Sequence, residues 1–301
     1  MIQQSDFNFV KLRNILLLVT IFALWFSVFS NEQIEGTIAY VLIFSFGILH
    51  GSNDILLIQV ASRELFGNHH KIKVLALYIM TILTILLLFS FLPKLALLSF
   101  VLISGFHFGE QHWGKNLIGK DHWDKLFFTL YGLFILFMIF YIKSEQASDI
   151  INDVSGFSIK KETFLIILSI VGALLAIQWI LYVYMKRLKA NVFEELFFLV
   201  VFFVVFSTAT LLWGFSIYFI VWHSVPSLID QMNFLYGRAN QKTFFKYLKS
   251  SWWYWLISII SLIGFYFLLR DDNEFFTSIL IYFLAAITFP HVIVMSKLES
   301  S

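Results

Sequence analysis

Of the eight histidines in this 301-residue chain, four stand where an ionisable group is costly. His50, His107, His223 and His291 each lie inside an apolar stretch, the position at which such a group usually marks a site. His69, His70 and His122 sit beside Asn68, Lys71, Asp121 and Asp124 and read as solvated surface. Neutral imidazole ligates Zn, Cu, Fe and Ni, so a set of buried rings points to a metal centre without choosing the metal. The competing reading of each ring is a hydrogen bond between helices. The chain has no cysteine, which leaves nitrogen and oxygen as the only metal donors.

Residues three or four apart on a helix share a face, and each ring has a polar neighbour at that spacing. His50 has Asp54, in His50-Gly51-Ser52-Asn53-Asp54. His107 has Glu110 and Gln111, in His107-Phe108-Gly109-Glu110-Gln111, and His223 has Ser227, in Trp222-His223-Ser224-Val225-Pro226-Ser227. A carboxylate that accepts the second imidazole N–H fixes the tautomer and raises ligand basicity, so Asp54 and Glu110 are candidates for that role. His112 lies five residues past His107, about 140° around the helix, and is open to metal contact or to interfacial hydrogen bonding. Gly51, Ser52, Gly105 and Gly109 either allow close helix packing or leave room for a ligand.

The elements that must carry these residues are membrane helices. The chain is 59% hydrophobic and 13% charged, with a mean hydropathy of +0.83, far from the averages of soluble domains. Runs such as 197–206 do not alternate as barrel strands would. The pattern predicts an all-α, polytopic transmembrane helix bundle, a multi-pass protein of the cell membrane, with one membrane-embedded domain over 1–301. Its roughly ten spans fall at about 12–30, 36–60, 74–92, 95–113, 126–142, 163–185, 193–211, 213–232, 252–269 and 275–296. The stretch 196–225 is too long for one span, and Ser207, Thr208, Thr210 and Gly214 offer a turn. With both termini cytoplasmic, 16 of the 21 basic residues fall on the inner side. The four histidines then lie roughly 10–16 residues from the outer ends of inward-running spans, about 15–24 Å deep, as a shared centre requires. Residues 1–30 read as a retained first helix rather than a cleaved signal.

Other chemistry finds little support. The net charge of +2 and the absence of a basic patch speak against a nucleic-acid partner. No glycine-rich phosphate loop or dinucleotide fingerprint is present, and the repeated HxxHH boxes of di-iron desaturases are missing.

The motifs His50-Gly51-…-Asp54, His107-Phe108-Gly109-Glu110, Trp222-His223-Ser224 and Pro290-His291 resemble, in this order, those of the Brp/Blh family. That family comprises membrane β-carotene 15,15′-dioxygenases that make retinal for microbial rhodopsins, and the resemblance runs from about the second span to the tenth. It implies non-haem Fe(II) held by histidines only, a role carried onto His50, His107 and His223. It also implies β-carotene or a similar polyene and O2 as substrates, surrounding membrane lipid, and a rhodopsin as recipient of retinal. One departure stands out: the family has a second histidine four residues after that of the third motif, where this chain has Ser227. A hydroxyl is a poor ferrous ligand, so either His291 completes a four-histidine set, or three histidines bind iron with an extra open position, or activity is altered. His291 is the favoured completion. Rival functions are an ion- or proton-translocating protein, a haem-binding cytochrome with paired axial histidines, and a carotenoid- or retinal-binding protein without oxygenase activity.

Overall fold

A computed structural model describes residues 3–61, 70–119, 121–268 and 276–300; His69 lies outside them. The described residues are all-α, with one isolated bridge between Leu117 and Leu188 and no strand. Helix α1 (Gln3–Phe29) leads into a second span that is not one helix. It consists of α2 (Glu32–Leu42), a π-helical turn (Ile43–Gly47), α3 (Ile48–Gly51) and α4 (Asp54–Ala61). There follow α5 (His70–Phe91), α6 (Pro93–Trp113), α7 (His122–Ile142), α8 (Ser144–Ser155), α9 (Lys161–Tyr184) and α10 (Val192–Thr208). The chain continues through α11 (Leu211–Ile217), a second π-helical stretch (Tyr218–Ser224), α12 (Val225–Tyr236), α13 (Gln241–Leu268) and α14 (Phe276–Ser300).

Seven of the helical segments among the described residues are long and apolar enough to cross a membrane. The stretches expected as spans at 95–113, 193–211 and 252–269 are largely helical over their described residues, but differ from those seven for local reasons. Helix α6 is diluted by Ser104, Gly105, His107, Gly109 and Glu110, α10 is only 17 residues long, and 252–269 runs to the edge of the described part of α13. The turn anticipated between 207 and 214 falls at Ala209. There Thr210 Oγ1 accepts from Trp213 N to cap α11, and Glu35 Oε2 accepts from Thr210 N at 2.8 Å. Helix α8 was not expected: the connection after α7 contains an amphipathic helix closed by Gly156 at φ +66°. Its Val154 and Ile150 pack into a cluster with Ala285 and Ala286 of α14.

The main core is aromatic, built around Trp113, Phe127, Tyr131, Phe202 and Phe206 where α6, α7, α10 and α11 meet. Two glycines bring α6 and α7 into backbone contact. A β-carbon on Gly109 would lie 1.9 Å from Phe128 O, and one on Gly132 would lie 1.8 Å from Gly105 O. Gly105 and Gly109 therefore serve close packing rather than ligand space, and the contact sets the height at which α6 presents His107. On the outside, α5 and α9 expose rows of Leu, Ile and Met, as lipid-facing helices do.

Candidate metal centre

Each of the four histidines sits at or beside an irregularity in its helix, except His107. His50 follows the π turn Ile43–Gly47, and His223 lies within the π stretch Tyr218–Ser224. Single π turns inside α-helices widen the helix and re-aim side chains, frequently at functional sites. His291 directly follows Pro290, whose missing N–H breaks the ladder of α14. His107 instead rides on the straight α6, held by the glycine contact with α7.

These four helices bring the rings together. Ring centres are 4.6 Å apart for His107 and His223, 4.8 Å for His50 and His291, 5.0 Å for His107 and His291, and 5.3 Å for His50 and His223. His50, His223 and His291 each offer one ring nitrogen within 4.8 Å of the other two, with His107 against the same group. All four are buried, at 2–5% exposure. Yet Nδ1 of His50, both nitrogens of His107, both of His223 and Nε2 of His291 have no hydrogen-bond partner among the described residues. Leaving a buried polar atom unpaired costs about 1–3 kcal/mol, so six of them in one place is an expensive arrangement for a purely structural cluster. An all-imidazole set of unpaired nitrogens fits a divalent transition ion such as Fe, Zn, Cu or Ni and does not fit oxygen-seeking Ca or Mg.

The neighbours expected of these rings are rearranged. Asp54 belongs to His291, not to His50: its Oδ1 accepts from His291 Nδ1 at 2.8 Å, and its Oδ2 accepts from the Tyr78 hydroxyl at 3.0 Å. The reason is the break at Ser52 and Asn53 between α3 and α4, which takes Asp54 out of helical register with His50. The carboxylate can only accept when ionised, so it selects the His291 tautomer whose Nε2 lone pair faces the other rings. The expected pair of His107 with Glu110 is not formed, because the His107 ring turns to His223 and His291 on other helices. Ser227 does not bond His223 either. The π stretch shifts the register between them, and Ser227, fully buried, has Oγ 3.3 Å from Gln231 Nε2.

Spacing gave no access to the support beneath His50. Gln231 Nε2 donates to the His50 carbonyl at 2.7 Å, and the Tyr247 hydroxyl donates to Gln231 Oε1 at 2.7 Å. Asn53 Nδ2 donates to the Tyr247 carbonyl at 3.2 Å, so α12 and α13 together brace the break next to His50. Only Gln231 left a trace in the sequence, two helical steps of four beyond His223. His112 lies outside the ring group: its Nε2 is 2.7 Å from Glu195 Oε2 and 3.3 Å from the Tyr131 hydroxyl.

The rings form part of the wall of a cavity of about 460 Å³, otherwise lined mainly by Phe, Leu and Ile from seven of the helical segments. That volume suits a ligand of moderate size, and the lining suits an apolar one. Besides the histidines, Asp54, Tyr78, Ser104, Ser258 and Thr288 are among the few polar residues on it.

No curated protein matches this chain, and no solved structure does. A sequence model of a family described as beta-carotene 15,15′-dioxygenase matches residues 41–299, which include all four rings and every described residue that lines the cavity. The chain therefore belongs to the beta-carotene 15,15′-dioxygenase family, and it is an enzyme of that type.

Proposed function

We propose that this chain is a non-haem Fe(II) dioxygenase of the cell membrane that cleaves β-carotene, or a related carotenoid, at a central double bond to give retinal. In this reading the iron is held by His50, His107, His223 and His291. The observation that carries it is the gathering of four buried imidazoles, six of their nitrogens unpaired, on the wall of an apolar cavity. The engagement of Ser227 with Gln231 supports His291, rather than a residue on α12, as the completing ligand.

Bound there, Fe(II) would supply O2 activation at the coordination positions that histidine leaves open. In the overall reaction one C=C bond breaks and each of its carbons takes one atom of O2, so no external reductant is needed. The chain's own share is geometric. Asp54 holds the His291 tautomer, the Gln231–Tyr247 pair holds the His50 backbone, and the apolar walls orient the polyene and exclude water. We read the protein as one domain with ten spans and both termini in the cytoplasm, the topology that keeps most of its basic residues inside. Retinal then leaves into the lipid phase, where a rhodopsin apoprotein can take it up.

The test is expression in aerobic, iron-replete cells that accumulate β-carotene. Bleaching with formation of retinal is expected, and both should vanish in His107→Ala. Colour retained by the unsubstituted protein would count against the reaction, and retinal formation unchanged in His107→Ala would remove the site.

A further inference from the structure

The cavity is not closed on all sides. Phe108, Leu136, Phe219 and Leu284 line it and are at most 8% exposed. By contrast, Leu75 and Ile79 of α5 and Tyr254 and Ile257 of α13 line the same cavity and are 39%, 46%, 37% and 58% exposed. A residue that belongs both to the lining and to the outer surface marks an opening, so the cavity has a mouth between α5 and α13. The floor of that mouth is α14, which packs against both helices and carries Ile287, Thr288 and His291 on the cavity wall.

The depth and chemistry of the mouth say what passes through it. Ile79 lies six residues beyond Lys73 on α5, and Ile257 lies eight beyond Lys249 on α13. At helical rise these are about 9 and 12 Å from the basic residues, which puts the opening beside hydrocarbon rather than headgroups. Among the described residues, no charged side chain lines the rim. Asp54, the carboxylate among the described lining residues, is only 1% exposed and is covered by the Tyr78 hydroxyl and His291. A passage that is apolar, sideways-facing and continuous with the four rings suits a hydrocarbon dissolved in the bilayer and does not suit a solute arriving from water.

We propose that the gap between α5 and α13 is the lateral portal through which the carotenoid passes from the hydrocarbon of the bilayer to the histidines, with Ile79 and Ile257 setting its width. This rests on the dioxygenase reading for the identity of the occupant. The test compares Ile79→Trp/Ile257→Trp with a control pair on the lipid face of α9, Ile166→Trp/Ile177→Trp, in iron-loaded protein in lipid nanodiscs containing β-carotene. The mouth pair should lower kcat/KM at least about tenfold while kcat at saturation and iron content stay within about twofold, and the control pair should match the unsubstituted protein. An unchanged kcat/KM in the mouth pair, or an equal loss in the control pair, overturns the portal.

A second measurement does not depend on turnover. His107→Ala protein from carotenoid-accumulating cells should co-purify with β-carotene, and adding the two mouth tryptophans should lower the retained pigment severalfold. Equal retention, at any level including none, overturns the portal. Mouth-dependent retention, together with no retinal formed by the unsubstituted protein, would instead leave the portal standing and overturn the dioxygenase reading.

Discussion

Among the described residues, two buried groups contain histidine, and they are built on opposite principles. Around His112, every charge is answered. Glu195 is fully buried, its Oε2 lies 2.7 Å from His112 Nε2, and its Oε1 accepts from Arg13 Nη2 at 2.5 Å. The Tyr131 ring stacks on His112, and the Arg13 guanidinium lies over the Phe198 ring. Around His50, His107, His223 and His291 the rings crowd together while six nitrogens go unanswered. A paired cluster of this kind ties α1, α6 and α10 to one another. An unpaired one destabilises the bare fold and gains by taking up a ligand. Burial of a histidine inside an apolar helix is thus no guide to its role. What separates the two groups is whether the ring nitrogens are already spoken for.

The sharpest break in this comparison should come from His107→Ala, which removes one of the unpaired rings. It is expected to abolish carotenoid bleaching and to lower bound iron at least about tenfold, with little loss of thermal stability, as read by metal analysis and far-UV circular dichroism in parallel. Glu195→Ala should do the reverse. It strands the Arg13 guanidinium in a buried site and is expected to cost about 3–5 kcal/mol of stability in a denaturation assay, while iron per folded chain stays at its usual level. Asp54→Ala touches the ring group from outside: loss of the His291 Nδ1 partner should weaken iron binding about 10–100-fold in a chelator competition and leave the fold intact. The smallest effect belongs to His112→Ala, about 1–2 kcal/mol of stability with carotenoid cleavage retained. Loss of iron in His112→Ala, or wild-type iron in Asp54→Ala, would erase the distinction between the two groups.

Much of the architecture is visible in the sequence because hydropathy and helical rise act locally. Over the described residues, helices cover most of each apolar stretch, and the arithmetic of depth was enough to expect four rings at one level. What could not be read is what depends on departures from the ideal helix or on distant contacts. The π turns before His50 and around His223 add a residue to a turn, and Gly47 and Pro226 beside them do not tell a π turn from an ordinary helical one. The break at Ser52 and Asn53 then hands Asp54 to His291, 237 positions away, although spacing had paired it with His50. Gln231 and Tyr247 reach the His50 backbone across 181 and 197 positions, a separation at which spacing carries no information. His112 looked like a possible ligand because its partner Glu195 is 83 residues away. Helix α8 was missed because it is amphipathic and lacks the apolar length of a span.

The central claim is that the unpaired rings hold iron, with His291 completing the set that Ser227 leaves short. It is tested most directly by measuring the iron bound per folded chain in the unsubstituted protein and in His291→Ala, purified side by side under anaerobic, iron-replete conditions. Stoichiometric iron in the first and at least about a tenfold loss in the second, with helical content unchanged, is the predicted result. Equal iron in the two proteins, or no iron in the unsubstituted one, would contradict it.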